Sequence, residues 1–142
     1  MISRKDVIRM RIAYPNMQSK LAKVGHMYIC YDESYPAYSF VKCQTYTIKN
    51  IDKKVVKHYV YEQPDIKRNP FKWETLIDCD KLFCSSSSNY DEKLRTDSRP
   101  DVAEAVMQNI SEELTTDGCQ VITLDEKRLV LLNKFITCIP KK

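Results

Sequence analysis

Leu76-Ile77-Asp78-Cys79-Asp80-Lys81-Leu82-Phe83 is the stretch on which the reading of this chain turns. It is an apolar, strand-like run carrying two carboxylates and a thiol. In strict alternation Ile77, Cys79 and Lys81 face one way, and Asp78, Asp80 and Leu82 the other. Asp78 and Asp80 are then expected on one face, about 7 Å apart at the usual strand rise. Unpaired carboxylates are costly to bury. The pair therefore either lines a solvated edge or belongs to a site.

Outward from this strand, the flanking segments define the fold class. Upstream, Asp6 to Tyr14 alternates, with Ile8, Met10 and Ile12 on one face and Arg9 and Arg11 on the other, and Pro15-Asn16 stops the strand. Pro15 to Gly25 reads as a long loop carrying Lys20 and Lys23. His26 to Tyr31 is a near-continuous apolar run suited to a central strand, and Tyr38 to Thr47 is rich in β-formers. Lys49 to His58 is a basic, polar excursion, His58 to Tyr61 a short strand, and Pro64 to Glu74 an irregular surface loop. Downstream, Cys84-Ser85-Ser86-Ser87-Ser88-Asn89 has the composition of a flexible linker.

Two helices are expected after it. Ser98-Arg99-Pro100-Asp101 has the form of a helix start, and Val102, Val106, Met107, Ile110 and Leu114 make an apolar stripe ended by Thr116-Asp117-Gly118. Cys119 to Leu124 is a short strand. Thr123-Leu124-Asp125-Glu126 has the form of a capping box for a second helix, with Leu129, Leu132 and Ile136 on its stripe, before Lys141 and Lys142 close the chain. Strands early and helices late predict an α+β fold: a small twisted antiparallel β-barrel or sheet followed by C-terminal helices. The 142 residues suit one domain, with 115–142 as a strand–helix extension.

Composition excludes several classes. Gly25 and Gly118 are the only glycines, so no Gly-rich phosphate loop exists. No apolar run reaches membrane-spanning length, and no apolar segment of a signal peptide follows the first positive charges, so a cytoplasmic protein without membrane contact is expected. The six cysteines show no CxxC and no histidine clustering, and His26 and His58 stand 32 positions apart. No metal site and no cofactor are expected. The cysteines read as small buried hydrophobes, and a thiol function through Cys79 or Cys84 lacks a nearby cation. Charge is uneven: residues 1–74 carry 14 Lys/Arg against 7 Asp/Glu, whereas residues 75–142 carry 9 against 12. A basic half with many tyrosines suits a polyanion; the same charges also serve plain solvation.

Three segments resemble the MazF/PemK family of toxin endoribonucleases. Lys5-Asp6-Val7-Ile8-Arg9-Met10 sits where that family has its opening Gly-Asp-hydrophobic strand. Lys23 to Cys30 sits where it has an Arg-Pro turn running into the second strand. Asp78-Cys79-Asp80-Lys81 is similar to the Cys-Asp strand of the PemK branch, whose helix falls where Arg99-Pro100 precedes one here. The resemblance spans residues 5–114 through short motifs. It implies a β-barrel, a homodimer, an antitoxin protein as partner, and cleavage of single-stranded RNA without a metal.

Carried over by position, Asp80 matches the family carboxylate and Thr45 its hydroxyl. The Arg-Pro positions hold Gly25 and His26, a departure from the pattern. On this reading Asp80 is the base, His26 the acid and Thr45 a positioning hydroxyl, with Arg9, Arg11, Lys20, Lys23 and Lys42 binding phosphates. The missing arginine also opens an alternative: a module on the same fold that binds nucleic acid or a protein without cleaving anything.

Overall fold

A computed structural model describes residues 1–46, 56–114 and 118–139. The elements are β1 (Val7–Met10), α1 (Lys20–Lys23), β2 (His26–Ser34), β3 (Ala37–Thr45), β4 (Tyr59–Glu62), β5 (Thr75–Ser85), β6 (Ser88–Tyr90), a 3-10 turn (Glu92–Leu94), α2 (Glu104–Leu114), β7 (Gln120–Thr123), α3 (Glu126–Leu132) and β8 (Ile136–Cys138). The fold is α+β. Its main sheet runs β1-β2-β3-β5-β4, all antiparallel, and β7 adds to β5 in parallel. β6 and β8 form a separate antiparallel pair.

The expected barrel is not found: among the described residues the sheet path does not close on itself. Its first edge is covered instead. Val7 N–H donates to the Pro100 carbonyl (2.8 Å), and the Val7 carbonyl accepts from Thr96 N–H (3.0 Å), so residues 95–102 run beside β1. This also corrects the first helix start. Ser98 to Asp101 is non-helical: the chain bends between Thr96 and Pro100, which both bond to Val7 at the edge of β1, and α2 begins only at Glu104.

Both faces of the sheet are apolar. On one, Ile8, Met10, Ile12, Tyr28, Phe40 and Phe83 pack with Tyr90, Leu129 and Ile136. On the other, Val7, Ile29, Val41, Ile77 and Cys79 pack with Val106, Met107 and Ile110 of α2. Burial on both sides explains the unbroken apolar run of β2, a central strand as expected.

The serine run is no linker. β5 extends through Ser85, β6 begins at Ser88, and one oxygen of Glu126 accepts from Ser85 Oγ (2.7 Å), Ser88 Oγ (2.9 Å) and Ser87 N–H (3.2 Å). At α3 the N-cap is Asp125, which accepts from Arg128 N–H, rather than Thr123. Asn133 ends α3 by bonding both polar backbone groups of Arg11, which puts Ile136 in β8 and off the helix stripe. The Pro15–Gly25 loop contains α1 and is tied to the end of β1 by Ile12 N–H donating to the Leu21 carbonyl (2.9 Å). The basic excursion as far as Val55, the helix stop at Thr116-Asp117, and Lys141-Lys142 lie outside the described residues. Among the described residues no helix is long and apolar enough to cross a membrane.

Candidate functional site: a basic cleft at one end of the sheet

The strand that opened the reading is bent. Phe40 pairs with Phe83 and Lys42 with Asp78, so Val41 alone stands opposite the four residues Cys79–Leu82. Such an excess on one strand bends it and re-aims its side chains. Strict alternation therefore fails here. Asp78 is 3% exposed and lines a cleft. Asp80 instead holds the backbone leading into β4, accepting from Lys57 N–H (2.7 Å) and His58 N–H (2.9 Å). The two carboxylates stay linked, because Asp80 N–H donates to Asp78 Oδ1 at 2.8 Å.

The cleft is about 840 Å³. Arg9 comes from β1, Lys20 from α1, His26 from the start of β2, and Lys42 and Thr45 from β3. Lys72 and Trp73 come from the loop before β5, and Asp78 and Lys81 from β5 itself. Among the described residues five cations thus meet one carboxylate. Of the residues expected from the sequence, Arg9, Lys20, His26, Lys42 and Thr45 gather here. Asp80, Arg11 and Lys23 are not among the lining residues. Lys72, Trp73, Asp78 and Lys81 were not assigned by the sequence reading. A lone tryptophan beside a lysine in a proline-flanked loop was the available signal for the first two. The bend that admits Lys81 has no signature in the alternation of a single strand.

Electrostatics in the cleft follow from burial. Burial pushes the Lys42 ammonium below its ordinary range; Asp78, its cross-strand partner, opposes this and Lys81 adds to it. Burial pushes the Asp78 carboxyl upward, against the Asp80 amide, Lys81 and Lys42, which favour the carboxylate. Lys81 Nζ stands 3.8 Å from Asp78 Oδ2. His26 is pushed down chiefly by burial, with Lys42 and Lys20 acting in the same direction. Its Nδ1 lies 2.9 Å from the Val24 carbonyl, an acceptor only, so Nδ1 carries the proton of the neutral ring. That tautomer leaves Nε2 as a proton acceptor.

The loop carrying Lys72 and Trp73 is fixed from below. Glu62 takes a two-pronged contact from Arg68 (3.1 and 3.0 Å) and a bond from Asn69 Nδ2 (2.9 Å). Asn69, 1% exposed, accepts from Phe71 N–H (3.0 Å), and Thr75 Oγ1 donates to the Trp73 carbonyl (2.9 Å). The cysteines take no part in this chemistry beyond the edge of Cys43. Cys30, Cys43 and Cys79 are buried, and burial raises each thiol, that of Cys30 to about 12. Among the described residues no group of three or more His, Cys, Asp or Glu is placed to hold a metal ion. Comparison with known protein families, characterised proteins and solved structures finds no match for this chain.

Proposed function

We propose that the cleft binds the phosphodiester backbone of RNA and cleaves it as an endoribonuclease. The observation that carries this reading is the convergence of Arg9, Lys20, Lys42, Lys72 and Lys81 with a neutral histidine around a single buried carboxylate. Cations at that density suit a chain of phosphates. Cleavage by the neighbouring 2′-hydroxyl needs a base, an acid and positive charge on the phosphoryl oxygens. His26 Nε2 takes the 2′-hydroxyl proton. The O2′–P bond forms as the P–O5′ bond breaks, the Lys42 ammonium gives its proton to the departing 5′ oxygen, and a 2′,3′-cyclic phosphate remains. Lys81, Arg9 and Lys20 stabilise the charged phosphoryl group, and Thr45 is the positioning hydroxyl at the rim.

This reverses the role expected for His26 and takes Asp80 out of the chemistry. A PemK-like relationship, a homodimer and an antitoxin partner belong to the same proposal and rest on the sequence resemblance. The second reading, a module that binds without cutting, is favoured by one observation: Asp80, the carboxylate matched to the family's base, is engaged by two backbone amides away from the cleft. Incubating mixed single-stranded RNA with the protein in EDTA separates the two. Discrete fragments that disappear with His26→Ala support the nuclease. Intact RNA with a salt-sensitive gel shift supports the binding module.

A further inference from the structure

Trp73 is the only tryptophan of the chain, and it is 71% exposed at the edge of the cleft. Large aromatics normally contribute their area to a core or an interface. Mobility does not explain the exposure, since the residues around Trp73 are held firmly. Phe71 is buried, Asn69 is bonded on both sides, the Trp73 carbonyl is bonded to Thr75, and the Glu74 carbonyl accepts from Tyr46 N–H (2.8 Å). A fixed backbone therefore presents a bare indole beside a concentration of positive charge. An aromatic face next to a phosphate-binding groove is the arrangement that holds single-stranded nucleic acid, with the base on the ring and the backbone in the groove.

We propose that Trp73 is a base-stacking subsite, and that it makes the cleft selective for unpaired over paired nucleic acid. The inference rests on the cleft binding nucleic acid and adds to that reading the chemical class of the rim ligand, an unpaired nucleobase. It implies little preference among bases, because each offers a π-face. A duplex keeps its bases stacked on one another and cannot use the indole.

The test uses the full chain and a single-stranded oligodeoxythymidylate, which lacks the 2′-hydroxyl and so cannot be cut by the proposed route. Trp73 fluorescence is expected to be quenched on binding. By anisotropy of the labelled oligonucleotide, Trp73→Ala is expected to lower affinity at least about 5-fold, the lower bound for loss of one stacked base, and Trp73→Phe to recover part of it. Affinity for inorganic tripolyphosphate, which has no base, is expected to be unchanged in both variants. Because Trp73 is exposed, neither substitution removes core packing.

Unchanged oligonucleotide affinity in Trp73→Ala overturns the stacking subsite while leaving nucleic-acid binding intact. Equal losses for oligonucleotide and tripolyphosphate overturn it by making Trp73 a determinant of charge or shape alone. Quenching by an acidic peptide as strong as that by the oligonucleotide overturns it in favour of a protein partner. Binding of neither oligonucleotide nor tripolyphosphate to the wild type removes the underlying reading as well.

Discussion

The two halves of β5 treat their polar side chains in opposite ways. Beyond the bend, Ser85 and its neighbours Ser87 and Ser88 converge on one carboxylate oxygen of Glu126, so their polarity is absorbed by structure. Before it, Asp78 faces Lys42 across the strand, and Lys81 folds back from within the bend to 3.8 Å from the same carboxylate, at the wall of an open cleft. Asp80, between them, belongs with the structural half. Polar residues on one strand thus divide by what meets them: a carboxylate acceptor from α3 closes the serine set and backbone amides before β4 close Asp80, while Asp78 is left facing a cavity rich in positive charge.

That division can be broken at defined points. The largest effect is expected on the cleft side. His26→Ala is expected to cut RNA cleavage at least about 100-fold, the usual scale for an acid–base group, with an unchanged thermal midpoint at neutral pH; the rate of fragment formation measures it. Next comes the serine cluster. Glu126→Ala is expected to cost about 2 kcal/mol by leaving hydroxyl and amide donors without their charged acceptor, a fall of roughly 6 °C in Tm for a chain of this size. Cleavage and oligonucleotide affinity at permissive temperature are expected to be untouched. Asp80→Asn is smaller still, about 1 kcal/mol for one weakened backbone contact. It should leave the cleavage rate at the wild-type value, whereas a large loss of cleavage would return Asp80 to the chemistry.

The pH dependence sharpens the same comparison. His26 titrates below its ordinary value of 6.5 in the folded chain. As base, its cleavage limb should rise with pH through a midpoint below 6.5 and level off, until loss of the Lys42 proton lowers the rate at alkaline pH. In stability the unfolded chain binds more protons between the two pKa values, so His26 lowers stability as pH falls from 6.5 through its folded pKa. Thermal melts of wild type and His26→Ala over that window should converge at neutral pH and separate in acid.

Much of the sheet was legible in the sequence because it rests on short periods. Ile8, Met10 and Ile12 share one core face as the alternation indicates, and β2 is apolar from Met27 to Tyr31 because both faces of the sheet are covered there. The failures have long-range causes. Ser85 to Ser88 look like a linker until a carboxylate about 40 positions away supplies their acceptor. Ser98 to Asp101 carries helix-start residues, yet the segment is held as a bent, non-helical stretch against the edge of β1. The bend at Cys79–Leu82 exists only relative to β3, so no pattern within the strand announces it. In the site, the basic residues of the first half were legible as charge. Which of them converge depended on where β3, α1 and the Trp73 loop are brought together.

The most direct test of the central claim is the salt dependence of binding to a single-stranded oligonucleotide. Lys20 and Lys72 are both exposed at the cleft, so replacing them with alanine spares the core. The double variant Lys20→Ala/Lys72→Ala is predicted to bind more weakly, with the slope of log affinity against log salt reduced by about 1.4, the release expected for two phosphate contacts on a single strand. Lys127→Ala/Lys134→Ala, exposed and outside the cleft, should match the wild type. An unchanged slope for the first pair, or an equal change for both, would contradict the assignment of the cleft as the polyanion site.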